Sequence, residues 1–148
     1  MAEWEGVLLD LLRPHPAPAC APPSEATWRE LMRATPGSLH PWLAHGVEHR
    51  LGPGAVPPDI AATLAQARRG AAVGHLRRQA VLRRLLPALD AAGVTAVVLK
   101  GGALAYLSYP EPSLRSMSDL DLWVAPADLD RAVAIAQAAG LEIGRAHV

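Results

Sequence analysis

A chain of 148 residues is long enough for one domain, or for one domain with a helical extension, and can bury a real core. Its 14 acidic residues balance 14 basic ones, so no global field draws it to nucleic acid or to an anionic membrane. Cys20 is the sole cysteine, which excludes an intramolecular disulfide framework, and no stretch approaches the roughly 18 apolar residues of a membrane span. Glu3, Glu5 and Asp10 interrupt the start, so no signal peptide is read there, and a cytoplasmic protein is expected. Of the 14 basic residues 13 are arginine, which makes the one lysine, Lys100, stand out as a position where an ammonium is wanted.

Residues 3–13 carry Trp4, Val7, Leu8, Leu11 and Leu12 at helical spacing, so one face is apolar and must dock. The run RPHPAPACAPP stops that helix and reads as an extended surface linker. Ser24 is placed to cap a second helix containing Trp28, Leu31 and Met32, which ends before Pro36-Gly37. His40 to Leu51 predicts a third. Within it His45-Gly46-Val47-Glu48-His49 matches the H-x-x-E-H pattern of some zinc peptidases. We reject that reading: Gly46 weakens the helix, no later segment offers an obvious third ligand, and five-residue patterns recur by chance. The expectation is a polar face with His45 and His49 in solvent.

LGPGAVPP is a break, and Pro57-Pro58 lead into a long helix from about Asp59 to Ala92. Ile60, Leu64, Ala67, Ala71, Leu82, Leu85, Leu86 and Leu89 supply its buried stripe; Arg68, Arg69, Arg77, Arg78, Arg83 and Arg84 fall on other faces and are expected to be solvated. Gly70 and Gly74 weaken its middle, Pro87 predicts a kink or a break near Leu86, and Gly93 is placed for a left-handed cap.

The period then changes. Val94 to Leu99 reads as a strand buried on both faces, followed by a Lys100-Gly101-Gly102 turn, a short helix over 103–109 and a second strand over 120–124. Pro126 and Asp128 open a helix through Ala139, Gly140 caps it, and Leu141-Glu142 looks like the start of a third strand. The fold class is α/β (α+β), with a helical region over 1–92 and an incomplete α/β core over 93–142. Residues 143–148 look like a translated sequencing adapter and are expected to be a non-native tail on a truncated chain.

On a strand, Asp119 and Asp121 point the same way. Two carboxylates at about 4 Å and an effective dielectric near 20 repel by on the order of 4 kcal/mol, so a cation belongs between them. A divalent metal shared with a nucleotide's phosphates is one solution. Arg115 is the other cation at hand, as a partner for Asp119 or as a phosphate ligand. Gly101 and Gly102, between a strand and a helix, either let backbone N–H groups approach a phosphate or only let the helix pack on the strand. No Walker loop is present.

The stretch LKGGALAYLSYPEPSLRSMSDLDLWV resembles the core of a bacterial family of uncharacterised nucleotidyltransferases of the polymerase-β-like superfamily. That family's pattern is Leu-Lys-Gly, a helix ending in Tyr-x-x-Pro, then Leu-Arg-x-Met-x-Asp-hydrophobic-Asp and a hydrophobic strand. Lys100, Gly101, Tyr109, Arg115, Met117, Asp119 and Asp121 fall where it wants them. The resemblance is close over about 93–140 and loose before it. It implies a mixed β-sheet with helices, two Mg²⁺ on Asp119 and Asp121, an NTP whose phosphates lie against Lys100, Gly101, Gly102, Arg115 and Ser118, and an acceptor hydroxyl of unknown parentage. A third carboxylate on a later strand is also implied, and Glu142 lies too near its strand's start to be that residue, so this chain is expected to be inactive. A non-catalytic nucleotide-binding module of the same fold is the alternative.

Overall fold

The computed structural model describes residues 2–13, 21–52 and 54–144. Most of the proline-rich connector, Cys20 and residues 145–148 lie outside them. In chain order the elements are α1 (Glu3–Leu12), α2 (Glu25–Ala34), a 3-10 turn (Gly37–Leu39), α3 (His40–Arg50), α4 (Pro58–Ala91), β1 (Ala96–Val98), α5 (Lys100–Leu107), a second 3-10 turn (Pro112–Leu114), β2 (Leu122–Val124), a third (Pro126–Asp128) and α6 (Leu129–Ala138). The fold is mixed α/β, mostly helical, with a helical N-terminal region and a small antiparallel sheet.

The first core forms where α1, α2 and α3 dock on the start of α4. Leu11, Trp28, Leu31, Leu43, Ala44, Leu51, Ile60 and Leu64 are its buried members. Ser24 caps α2 as expected, its Oγ accepting from the Thr27 amide at 3.1 Å. The two indoles that enter this region satisfy their polar edge on main chain: Trp28 Nε1 donates to the Ala55 carbonyl and Trp42 Nε1 to that of Leu12, both at 3.1 Å. Gly46 is no weak point in α3. It is buried, and a Cβ there would collide with the Leu11 carbonyl oxygen, so the missing side chain is what lets α1 and α3 touch along their backbones.

The second core lies at the other end of α4. Leu85 and Leu89 of α4 pack with Val94, Ala132 and Ala136, and Ala96, Leu122 and Val124 of the sheet close over them. α4 runs as one helix of 34 residues, and Pro87 does not break it. Gly93 and Gly140 both take positive φ, 69° and 74°, and end the helices before them.

Three expectations are corrected here. β1 pairs antiparallel with β2 in the register Ala96–Val124, Val97–Trp123 and Val98–Leu122. Only one face of that pair is covered: Val97 and Trp123 stand opposite each other, 46% and 51% exposed, so the strand is not buried on both faces. Second, β2 begins at Leu122, so Asp119 and Asp121 precede it, although the Leu99 amide still donates to the Asp121 carbonyl at 2.9 Å. Third, Leu141 and Glu142 form no strand; Leu141 donates its amide to Ala136 in the cap of α6 and packs on the second core, while Glu142 is exposed.

Gly46→Ala is expected to destabilise the chain by roughly 1–3 kcal/mol, because backbone cannot give way as a side chain can. A urea midpoint unchanged from wild type would refute the close α1–α3 contact.

Candidate functional site

The segment from β1 to β2 is held at four points. At its start α5 leaves β1 in one step: Leu99 is extended, Lys100 has φ +47°, and Gly101 and Gly102 already lie in the first turn of the helix. The expected glycine turn is therefore a helix start, and the left-handed residue is the lysine. For an L-residue that conformation costs about 1–2 kcal/mol. The Lys100 ammonium reaches Asp121 Oδ1 at 3.0 Å, with side chains 73% and 35% exposed. An exposed pair of this kind contributes about 0–1 kcal/mol, so it does not offset the strain.

The two glycines do different things. A Cβ on Gly102 would fall 2.7 Å from Val98 Cγ1 and 3.4 Å from Leu120 Cδ2, so glycine there is required for α5 to sit on β1. A Cβ on Gly101 would meet Met117 at 3.7 Å and Arg115 Nη2 at 3.8 Å, which is ordinary contact. Packing accounts for Gly102 and leaves Gly101 unaccounted for.

The other three tethers reach back to the helical region. Arg78 of α4 donates from Nη1 to the Met117 carbonyl at 2.9 Å, and Gly74 one turn earlier leaves room for the guanidinium, which a Cβ there would approach to 3.2 Å. Ser116 Oγ donates to the Ser38 carbonyl at 2.8 Å. Arg68 of α4 donates to both carboxylate oxygens of Glu111 at 2.9 Å. Arg68 and Arg78 are thus half-buried anchors, and the solvated face expected for the α4 arginines does not hold for them. Tyr109 adds an edge-to-face contact with Trp42, ring centroids 4.9 Å apart.

Glu111 is the site residue that sequence reasoning missed, because its partners are more than forty positions away. Besides Arg68 it faces His45, whose Nδ1 lies 3.4 Å from Glu111 Oε1. Hydrogen bonding from Arg68 holds the Glu111 carboxyl below its ordinary pKa. Burial, and secondarily His49, pushes the His45 pKa below its ordinary value. The His45 side chain is only 18% exposed, so the solvated reading of that residue is corrected too.

Of the residues singled out in the sequence, the structure joins Lys100 to Asp121 and brings Gly101 beside Arg115. Arg115 donates to the Ser116 carbonyl and forms no ion pair with Asp119 among the described residues. Asp119 and Ser118 are exposed. No described helix is long and apolar enough to cross a membrane.

A family model described as uncharacterised nucleotidyltransferase matches residues 24–147, a span that takes in α2 to α6. No curated protein and no solved structure matches the chain.

Gly102→Ala is expected to destabilise by about 1–3 kcal/mol, and Gly101→Ala to leave the denaturation midpoint within about 0.5 kcal/mol of wild type. Equal losses in the two variants would refute the division of roles. The folded-state pKa of Glu111 is depressed, so its contribution to stability is complete above its ordinary carboxylate pKa and is lost as pH falls through the lower folded value. Stability of Glu111→Gln, followed by thermal melts from pH 7 down to pH 3, should fall less steeply than that of wild type. Parallel curves would remove the Arg68 bond from the account.

Proposed function

The chain belongs to the uncharacterised nucleotidyltransferase family, and on that premise we propose that the head of α5 and the Asp119–Asp121 segment form the nucleotide half of a transferase site. The reaction is transfer of a nucleoside monophosphate from an NTP to an acceptor hydroxyl. The acceptor oxygen attacks the α-phosphorus, the bond to the β-phosphate oxygen breaks, pyrophosphate leaves, and the acceptor's proton is released.

The observation that supports this most is Lys100. A strained backbone that brings the only ammonium side chain of the protein onto Asp121 gains too little as an ion pair to be there for stability. It makes sense as a cation held at a carboxylate whose working partners are a metal and a phosphate. The residues fit a hard divalent ion: Asp119 and Asp121 offer carboxylate oxygens, the first exposed and the second half-buried, and Asp121 already carries a cation on Oδ1. Two Mg²⁺ on this pair would neutralise the triphosphate and the charge that develops at the attacked phosphorus.

The residues of the chain then divide the remaining work. The free N–H groups of Lys100, Gly101 and Gly102 at the start of α5 face a triphosphate with donors that the helix itself leaves unpaired. Gly101, which packing does not require, lets a phosphate oxygen come close to that backbone. Lys100 passes from Asp121 to the phosphates when the nucleotide arrives, and Arg115 and Ser118 flank them. The tethers through Arg78, Ser116 and Glu111 keep the loop from moving as charge accumulates in it.

Calorimetry with Mg²⁺ and each NTP tests this reading. Wild type is expected to bind at least one NTP only when Mg²⁺ is present, and the Asp119→Asn, Asp121→Asn double variant to bind it at least tenfold more weakly. Equal binding by the two proteins would make the carboxylate assignment wrong.

A further inference from the structure

The H-x-x-E-H stretch was set aside as a peptidase motif, yet the fold gives it a setting that the sequence did not show. His45, Glu48 and His49 are one helical turn apart on α3, and a potential donor atom of each lies within 4.8 Å of the others. The two rings lie against each other, centroids 4.0 Å apart. Each ring has its Nδ1 turned to a protein oxygen. That of His49 bonds the His45 carbonyl at 2.8 Å, and that of His45 is buried 3.4 Å from Glu111 Oε1 without a formed hydrogen bond. Because a carbonyl only accepts, Nδ1 of His49 carries that ring's proton and its Nε2 keeps the lone pair.

We propose that His45, Glu48 and His49 bind a divalent transition-metal ion of the zinc type, with Glu111 as the carboxylate behind His45. Imidazole nitrogens and one carboxylate are the donor set zinc accepts, with a fourth position left to water. A histidine that ligates zinc commonly gives its second nitrogen's proton to a carboxylate or a carbonyl; His49 already does so to the His45 carbonyl, and Glu111 stands 3.4 Å from the unpartnered Nδ1 of His45.

Arg68 is the nearby competitor. It is hydrogen-bonded to Glu111 and forms a longer ion pair with Glu48 at 3.6 Å, beyond hydrogen-bond length, and the Glu48 side chain is 55% exposed with a carboxylate oxygen already within 4.8 Å of the imidazole donors. The carboxylates of Glu48 and Glu111 and the guanidinium of Arg68 all act on His45, and the two carboxylates favour a dication. The ion would fasten α3 to the loop that carries Glu111, and so the helical region to the segment that leads to Asp121. It requires neither Asp119 nor Asp121, and its test is independent of the nucleotide site.

The experiment titrates Zn²⁺, and Co²⁺ as its coloured substitute, into the full chain carrying Asp119→Asn and Asp121→Asn, without nucleotide. One equivalent is expected to bind, with the Co²⁺ absorption of a low-coordinate site, and His49→Ala, an exposed change, to weaken binding at least tenfold. Glu111→Gln should weaken it by a smaller factor. No binding by the Asn variant, or binding that His49→Ala leaves unchanged, would overturn the proposal.

Discussion

Both cores of this protein depend on one helix being long and continuous. A helix of 34 residues spans about 51 Å, more than either core alone could cover. Ile60 and Leu64 at its start anchor α1, α2 and α3, while Leu85 and Leu89 near its end anchor the sheet and α6. Between those ends α4 has no fully buried residue, and two of its half-buried polar side chains there, Arg68 and Arg78, hold the loop that leads to the carboxylates. The position of that loop is therefore set by a rigid rod, and hydrogen bonds from two charged groups locate it along the rod. Bonds to charged donors contribute roughly 1.5–3 kcal/mol each, against about 1 kcal/mol for neutral ones, which makes them suitable fasteners for this segment.

The head of α5 carries a second constraint. Packing of the helix on β1 requires Gly102, but it does not require Lys100 to be left-handed or residue 101 to be glycine. Strain without a structural return concentrates at sites that act on something else. Here it lies within three residues of a free helix N-terminus and in ion-pair contact with a carboxylate.

Most of the helices were legible because their signals are local. Ser24 announces α2, Pro57-Pro58 announce α4, and Gly93 and Gly140 end the helices before them, all by backbone rules that act over a few residues. The Asp119–Asp121 pair and the Lys-Gly-Gly segment stand out in the sequence for the same reason, being short local patterns. What could not be read was long-range. Nothing near Gly46 says that the Leu11 backbone will press on it, and Glu111 shows no sign in sequence of lying between Arg68 and His45. The β-branched run before Lys100 suggested burial on both faces, since hydropathy reports that a residue can be covered and not whether another element covers it. Val97 and Trp123 are apolar and half open.

That the chain has a single lysine also bears on how the site can be watched. The side-chain amine of Lys100 is largely exposed and has no rival elsewhere in the sequence, apart from the chain's own amino terminus. An amine-directed fluorophore would therefore mark one side chain, set beside Asp121, without any cysteine having to be engineered. A compositional oddity thus makes this protein an optical reporter of the surroundings of Asp121.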